Sequence, residues 1–360
     1  MSSAFVQLKS RYSNIKDLQE CGVPLDGSAR DLNGLQKSYD VGVTDHVMQQ
    51  IENMDRPYED AVARQYIPSV EELNVQSDED NDPIGDDVYS PKRGIVHRYP
   101  DRVLLKISNV CAVYCRYCFR KEMIGAGQKH LSEDEYTAAI DYIRAHNEIG
   151  EVILTGGDPL ILSPRRLQDI VHALNEIDHV KIIRFHTRIP VVNPSKIDKT
   201  LLSVLKASSK ALYMVLHINH AQEISDAVRS AIFKIRMANV SVYSQSVLLK
   251  GVNDDPKILE HMFRELTLMH VTPYYLHHLD RAKGTSHFRV SIERGKNIMR
   301  DLQGRVSGIS LPKYMLDIPG GHGKIPINDE SVYRLKEGVY RVTDYQGCEH
   351  LYIENMEKAL

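Results

Sequence analysis

Residues 103–118, VLLKISNVCAVYCRYC, join a short apolar strand pattern directly to three closely spaced cysteines. The β-branched and leucine-rich run at residues 103–107 is typical of a buried strand. Cys111, Cys115 and Cys118 follow with C-x3-C-x2-C spacing, so one loop can present three sulfur atoms together. This segment therefore predicts where a sheet begins and where its chemistry lies.

Similar strand patterns recur along the chain, mostly at intervals of about 30 residues, with helix-length segments between them. They occupy residues 103–107, 151–155, 181–187, 211–217, 240–249 and 271–279. Ser132 with Glu135 forms a capping-box pattern, and Ser163 precedes Pro164 at a plausible helix start. Six such units predict an α/β fold, a partial (β/α)6 barrel whose working residues follow the strands.

The regions on either side of the barrel pattern are less regular. Residues 1–90 predict a mainly helical N-terminal extension, with helical patches at 45–53 and 58–64. Its segment SDEDNDPIGDD, residues 77–87, carries six acids and no Lys or Arg, which predicts a solvated acidic loop. We expect the barrel to occupy residues 91–310 and a separate C-terminal segment to occupy residues 311–360.

Composition excludes several classes of protein. The 360 residues carry 45 Lys and Arg against 48 Asp and Glu, so the basic signature of a nucleic-acid binder is missing. No apolar run approaches the roughly 20 residues needed to cross a bilayer, and the start lacks a secretory signal pattern. Five cysteines are an odd number for a disulfide framework, which favours a reducing, cytoplasmic location.

Three thiolates on one loop suit a soft metal centre. Such ligands select iron–sulfur clusters or zinc over hard cations. A structural zinc site needs four ligands, but Cys21 and Cys348 are remote in the sequence. We therefore favour a [4Fe–4S] cluster with one iron left open, while a zinc knuckle completed by a distant His, or three unrelated buried thiols, are the alternatives.

The cysteine spacing, with Tyr117 before the last cysteine, resembles the radical S-adenosylmethionine (SAM) enzymes. The segment TGGDPL at residues 155–160 resembles the SAM-binding turn of that superfamily. The resemblance implies a [4Fe–4S] cluster on Cys111, Cys115 and Cys118. It also implies SAM binding by the turn residues Gly156, Gly157 and Asp158.

A narrower resemblance, covering roughly residues 90–328, is to the lysine 2,3-aminomutases and their relatives that form (R)-β-lysine for elongation factor P. It rests on HRYPDRVLLKIS (97–108), CRYCFRK (115–121), FHTRIPVVNP (185–194), LHINHAQEI (216–224), SQSVLLKGVND (244–254), PYYLHHLDRAKGTSHF (273–288) and LDIPGGHGKIPI (316–327). In this family Lys324 would carry pyridoxal 5′-phosphate (PLP) covalently, which makes it the expected catalytic residue of the C-terminal segment. By themselves, residues 319–324 would read as a flexible loop.

The resemblance also implies the remaining cofactor contacts. Phosphate donors for PLP would be Arg98, Tyr99 and Arg102, which could otherwise be surface residues flanking a strand. His217 and Gln245, at the ends of two strands, would contact SAM. His277 stands where some family members have Tyr, so a tyrosine contact to PLP is not expected.

The charges of three residues predict which substrate the protein binds. Arg120 aligns with the arginine that binds the substrate carboxylate, and Asp280 and Asp317 match the acids that recognise the ε-ammonium of lysine. A buried ammonium needs such anionic partners, whereas a glutamate substrate would call for basic or neutral groups. Only Cys348 lies near the C terminus, so the inter-subunit zinc of some relatives is not predicted.

The sequence thus predicts an isomerase that converts L-lysine to β-lysine with a [4Fe–4S] cluster, SAM and PLP. Alternatives are the same chemistry dedicated to elongation factor P, or 2,3-amino migration on another amino acid. A rival of another class is a non-catalytic metal-binding or RNA-interacting protein. Expected partners are lysine, an electron donor such as flavodoxin or ferredoxin, and another copy of the chain, but neither a membrane nor nucleic acid.

Overall fold

The structure is a computed structural model that describes residues 11–124 and 129–354. Its strands are β1 (Arg11–Tyr12), β2 (Val43–Thr44), β3 (Ile95–Tyr99), β4 (Arg102–Ser108), β5 (Glu151–Gly156), β6 (Ile182–Thr187), β7 (Ala211–His217), β8 (Ser241–Val247), β9 (Thr272–His277), β10 (Lys313–Ile318), β11 (Gly323–Pro326), β12 (Val332–Lys336), β13 (Val339–Thr343) and β14 (Glu349–Ile353).

The α-helices are α1 (Ile15–Glu20), α2 (Ala29–Ser38), α3 (Asp45–Met48), α4 (Ala63–Tyr66), α5 (Glu133–Ala145), α6 (Pro164–Asn175), α7 (Ile189–Val192), α8 (Lys199–Lys206), α9 (Asp226–Met237), α10 (Pro256–Leu268) and α11 (Ile292–Leu302). Short 3-10 turns occupy Pro57–Glu59, Val70–Leu73, Asp87–Tyr89, Pro159–Ile161, Pro194–Lys196, Ala221–Glu223, Ser286–Phe288 and Gly308–Ser310. Within the residues that the structure describes, no helix has the length and apolar character required to span a bilayer.

The main sheet confirms the predicted α/β partial barrel. Strands β4 to β10 lie side by side and parallel, and β3 and β11 pair antiparallel with the two ends of this array. All six predicted strands are present, and β10 is a seventh parallel strand that the sequence analysis did not identify. Because the strand order ends at β3 and β11, the barrel is open along that seam.

Helix starts on the barrel follow their capping residues. Ser132 and Glu135 form the predicted reciprocal capping box of α5, and the Ser163 side chain accepts the Arg166 N–H at the start of α6. Each such cap stabilises a helix by about 1 kcal/mol. The apolar faces of α5 and α6 then pack on the sheet through residues such as Ile140 and Leu167.

The helices of the N-terminal extension are shorter than predicted. The patch at 45–53 forms only α3, and the patch at 58–64 is split between a 3-10 turn and α4. Asp60 explains both results, because its buried carboxylate accepts the N–H groups of Glu52 and Asn53 on one oxygen and of Val62 and Ala63 on the other. These bonds replace the intrahelical bonds that a longer helix would have made.

The prediction of a solvated loop at residues 77–87, the acidic segment, was wrong for its buried acids. Glu79 is 9% exposed and Asp86 is 1% exposed. Asp78 and Glu79 pair with Arg289 at 3.0 and 3.2 Å, and Asp86 pairs with arginines of the barrel described below. Three of the six acids, Asp78, Glu79 and Asp86, are thus neutralised by arginines outside the segment, which a local charge count does not show, whereas Asp80 and Asp87 are exposed.

The last part of the chain contributes to two sheets. Strands β10 and β11 complete the barrel sheet, whereas β12, β13 and β14 form a separate three-stranded antiparallel sheet. The three-part division at residues 90 and 310 stays a prediction. What matters for the site is that the β10–β11 hairpin brings Lys324 opposite Asp317.

Candidate active site

The loop after β4 carries the three cysteines, each partly buried and with a free thiol. Backbone bonds tie it to the N-terminal extension, from the Tyr114 N–H to Gly42 O and from the Arg116 N–H to Gln65 O. Burial, and then the nearby Cys115, raises the pKa of Cys118 to about 11. Burial also raises the pKa of Cys111. Thiols crowded on one loop in this way suit a multi-iron centre, because bound iron compensates the charge of the thiolates.

The other two cysteines, Cys21 and Cys348, do not provide a fourth ligand. Cys21 Sγ lies 3.5 Å from Tyr12 Oη beside α1, and Cys348 is exposed in the turn before β14. The donor set of the loop therefore fits a cluster held by three sulfurs.

Three buried charged side chains, Glu72, Arg116 and Lys121, connect the cysteine loop to the N-terminal extension. Glu72 receives two hydrogen bonds from Arg116, at 2.7 and 2.6 Å, and one from Lys121 at 2.9 Å. All three side chains are at most 1% exposed. Burial opposes ionisation of Glu72, but the two cations outweigh it and lower the pKa of this carboxyl.

Arg188, just beyond β6, touches the loop from another side. Its Nη1 donates to Cys115 Sγ at 3.2 Å and also to Tyr117 Oη, while its Nη2 donates to Gln65 Oε1 and Glu223 Oε2 at 2.6 and 2.7 Å. Arg188 was not predicted as a site residue, although it lies within the segment FHTRIPVVNP at residues 185–194. Arg188 therefore brings a positive charge to the cysteine loop.

The turn after β5 approaches the cysteine loop closely. Gly156 has φ +116°, and a Cβ at Gly156 or Gly157 would lie 2.3 Å from the carbonyl oxygen of Ser108 or Val110, respectively. Only glycine allows this approach. The Asp158 carboxylate is engaged within the protein, where it accepts Thr187 Oγ1–H and the Arg188 N–H, both at 2.7 Å. Direct contact of Asp158 with SAM stays a prediction.

His217 and Gln245 meet at the ends of β7 and β8. Gln245 Nε2 lies 2.6 Å from His217 Nε2 and 3.4 Å from Nδ1 of His186, a residue that the sequence analysis did not select. Burial, followed by the charge of Arg188, lowers the pKa of His217 to about 3, so its ring is neutral and accepts the amide proton. These strand ends present neutral polar groups rather than charges.

Lys324 lies at the open seam of the barrel. Its Nζ donates to Asp317 Oδ2, and its backbone N–H donates to Tyr99 Oη at 2.9 Å, which bridges β11 to β3. Gly323 has φ +89°, and a Cβ there would lie 3.0 Å from Tyr99 Oη. His277 is close enough for the Lys324 ammonium to add to the effect of burial in lowering the pKa of its ring.

Two arginines converge beside Lys324 on one acid that the sequence analysis did not select. Asp86 accepts from Arg98 Nη2 at 3.1 Å and from Arg120 Nη2 at 2.7 Å. Arg98 Nη1 is also 4.0 Å from Asp317 Oδ1. Arg102 is placed differently, because its guanidinium pairs with Asp101 at 2.6 Å and stacks 4.0 Å from the centre of the Tyr99 ring.

Several buried atoms of this region lack a hydrogen-bond partner among the described residues. They are Arg98 Nε, Arg120 Nε, His186 Nε2 and Asp317 Oδ1. Because leaving such atoms unpaired costs free energy, their concentration here indicates a site shaped for further polar groups. The residues present therefore fit an anionic cofactor and a charged substrate.

Asp280, after β9, belongs to the same charge cluster. Burial, and next the charge of Asp317, raises its pKa to about 8, while Lys324 and Arg120 act in the opposite direction. Asp280, Asp317, Arg120 and Lys324 are thus within electrostatic reach of one another, as the sequence analysis expected. A neutral or half-ionised Asp280 becomes a carboxylate readily when a cation is placed beside it.

The sequence of the chain was compared with protein families and with other proteins. The profile of the Radical SAM superfamily matches residues 105–262, which run from β4 into α10. A protein of Aquifex aeolicus assigned by name to the L-lysine 2,3-aminomutases is 38% identical over 95% of this chain and 92% of its own length.

Two further relatives are named L-lysine 2,3-aminomutase. The protein of Methanococcus maripaludis is 36% identical over 95% of this chain and 82% of its own length. The protein of Clostridium subterminale is 34% identical over 94% of this chain and 82% of its own length. These alignments cover nearly the whole chain, and the chain belongs to the L-lysine 2,3-aminomutase family of radical SAM enzymes.

Proposed function

We propose that this protein moves the α-amino group of L-lysine to the adjacent carbon, giving β-lysine. In this isomerisation nitrogen passes from C2 to C3 and one hydrogen passes from C3 to C2, so no atom is gained or lost. The observation that carries the proposal is the pair of acids, Asp280 and Asp317, beside Arg120 and Lys324. The relatives' names supply the reaction class.

Family membership brings three cofactors, a [4Fe–4S] cluster, SAM and PLP. We assign the cluster to Cys111, Cys115 and Cys118, and SAM to the Gly156–Gly157 turn with His217 and Gln245. PLP is assigned to Lys324, Arg98 and Tyr99, with Arg102 at the edge of this set. Together the cofactors supply one-electron chemistry and delocalise the unpaired electron while the amino group migrates.

The chain's own task is to orient and isolate the substrate. Arg120 offers a planar guanidinium, which suits a carboxylate. Asp280 and Asp317 offer the anions that a buried ε-ammonium requires. Arg120 already bonds Asp86 in this structure, so the substrate carboxylate would join or replace that partner.

Lys324 Nζ bonds Asp317 in this structure. With PLP held by Lys324, that amine would no longer pair with Asp317, so the Asp317 carboxylate would be available when the substrate ammonium arrives. The same acid would therefore serve first the lysine of the protein and then the lysine of the substrate. A glutamate side chain in that position would face two acids, which disfavours it.

The test is an anaerobic assay of Asp317→Lys after reconstitution with iron, sulfide and PLP. Incubation with lysine, SAM and a strong reductant, followed by chiral analysis of the products, should show no β-lysine while bound PLP is retained. The matched control is Asp329→Asn, which alters an exposed acid paired with Lys296 on the surface. Unchanged lysine turnover in Asp317→Lys would contradict the substrate assignment.

A further inference from the structure

Away from the cofactor set, one group of side chains has the composition of a metal site. His322, Asp344 and His350 each offer a ligand atom, and these atoms all lie within 4.8 Å of one another. His322 is in the glycine turn that precedes Lys324, Asp344 follows β13, and His350 is in β14. We propose that these three residues bind a divalent ion of the zinc class, which joins the Lys324 hairpin to the C-terminal sheet.

Asp344 is the fixed member of the group. It is 8% exposed, and its Oδ1 accepts the N–H groups of Gln346 and Cys348, both at 2.9 Å. This turn leaves Oδ2 directed at His350 Nε2, which is 2.8 Å away. Asp344 Oδ2 is thus the carboxylate oxygen placed to bind an ion shared with His350.

His322 completes the group from a different sheet. Its ring lies over the His350 ring, with centroids 3.9 Å apart and planes 32° from parallel. Two imidazoles and one carboxylate select zinc, cobalt, nickel or copper over magnesium or calcium. Metal–ligand bonds of about 2.0–2.2 Å place tetrahedral ligand atoms about 3.4 Å apart. A bound ion would therefore replace the hydrogen bond between His350 and Asp344 and turn the two stacked rings so that their nitrogen lone pairs converge.

The site has three protein ligands and a solvent-facing side. His322 is exposed and His350 is partly exposed, so the fourth position of a tetrahedral ion would be taken by water. It uses neither the cysteine loop nor the acids assigned to the substrate, and it differs from a cysteine site. The cysteine nearest to it in sequence, Cys348, contributes its backbone N–H to Asp344.

The position of the site suggests what the ion would do. His322 is separated from Lys324 by one residue, and Gly323 packs against the Tyr345 ring, with an added Cβ only 3.2 Å from that ring. A metal bond would fix both ends of this contact. The ion would thus restrain the turn that holds the PLP lysine, as a positioning element that takes no part in the reaction.

The experiment measures metal binding directly and needs no turnover, so its outcome is independent of the proposed function. Protein loaded with its iron–sulfur cluster is stripped of loosely bound metal with a chelator and then titrated with Zn²⁺ by equilibrium dialysis. We expect one zinc per chain in addition to the cluster iron. His322→Ala and His350→Ala should each weaken binding by about 100-fold or more, since even outer contacts of metal ligands are worth 10–100-fold.

The matched control is His172→Gln, which changes an exposed histidine on α6 and should bind zinc like the parent protein. Circular dichroism and cluster absorbance check that each variant is folded, and Zn²⁺ should raise the melting temperature of the parent and control but not of the two alanine variants. Co²⁺ in place of Zn²⁺ should give tetrahedral d–d absorption that both alanine variants lose. The site would be overturned if the parent protein bound no additional zinc, or if His322→Ala and His350→Ala bound zinc as tightly as the parent protein.

Discussion

Two buried acids of the N-terminal extension, Glu72 and Asp86, serve the two ends of the active-site region in different ways. Glu72 lies under the cysteine loop, where Arg116 and Lys121 satisfy it with bonds of 2.6 to 2.9 Å. Asp86 lies beside Lys324 and pairs with Arg98 and Arg120, whose Nε atoms have no hydrogen-bond partner within residues 11–124 and 129–354. The charge of Glu72 is thus balanced and hydrogen-bonded within the protein. The arginines around Asp86 keep Nε–H groups that can donate to a ligand.

The difference indicates how each acid contributes. A complete buried triad supports structure, and removing its one anion leaves two cations uncompensated. An incomplete set can exchange partners when a phosphate or carboxylate arrives. The comparison therefore predicts that ligands should rescue damage at Asp86 but not at Glu72.

The largest effect should follow from Lys324→Ala, at the ligand-binding end. Loss of the amine that carries PLP should reduce β-lysine formation by about 1,000-fold or more. PLP absorbance should disappear from the purified protein, while the iron content should match that of the parent. Retained PLP absorbance with normal turnover would show that another amine carries the cofactor.

Glu72→Gln should produce the largest loss of stability. We expect the free energy of unfolding to fall by about 3–5 kcal/mol, because Arg116 and Lys121 stay buried without their carboxylate. Denaturant unfolding measures this loss, and adding PLP and lysine should not restore it. The control Glu59→Gln removes an exposed pair with Arg56 and should cost about 0–1 kcal/mol.

Asp86→Asn should be milder and should respond to ligands. The variant without PLP should lose about 1–3 kcal/mol, since a charged hydrogen-bond partner is replaced by an amide. Thermal unfolding with and without PLP and lysine should show a larger ligand-induced rise in melting temperature than in the parent, because their anionic groups then occupy the arginines. An equal rise in both proteins would remove the proposed distinction between the two acids.

The smallest effect concerns pH. Asp280 has a pKa raised to about 8 by burial and Asp317, so it is mostly protonated at pH 6. Binding of the substrate ammonium requires its ionised form, so KM for lysine should fall by up to about tenfold per pH unit between pH 6 and 8 and then level off. Asp280→Asn should raise KM and flatten this dependence, and a profile that keeps its slope in the variant would assign the titration to another group.

Most of the barrel was predictable because a buried parallel strand leaves a continuous apolar run, and the predicted and observed strand bounds differ by at most two residues at either end. Strand β10 was missed because KYMLDI is short and comes after the regular alternation has ended. The two patches of the extension were drawn too long because the effect of Asp60 depends on side-chain geometry. Local patterns do not contain that information.

The site was predictable where residues belong to motifs. The cysteines, Lys324, Arg120, Asp280 and Asp317 were named from the family resemblance, and the structure brings the last four together. Asp86 was missed because its partners Arg98 and Arg120 lie 12 and 34 positions away, and its own neighbours are acidic. Arg188 was missed because its bond to Cys115 spans 73 positions.

The acidic segment has a consequence for how the chain folds. Asp78 pairs with Arg289 across 211 positions, and Glu79 accepts the Gly284 N–H across 205. Contacts between such distant parts of a chain form slowly, because a long loop must be closed before they stabilise anything. We therefore expect this part of the N-terminal extension, although synthesised before the barrel, to dock among the last elements, after the barrel has formed.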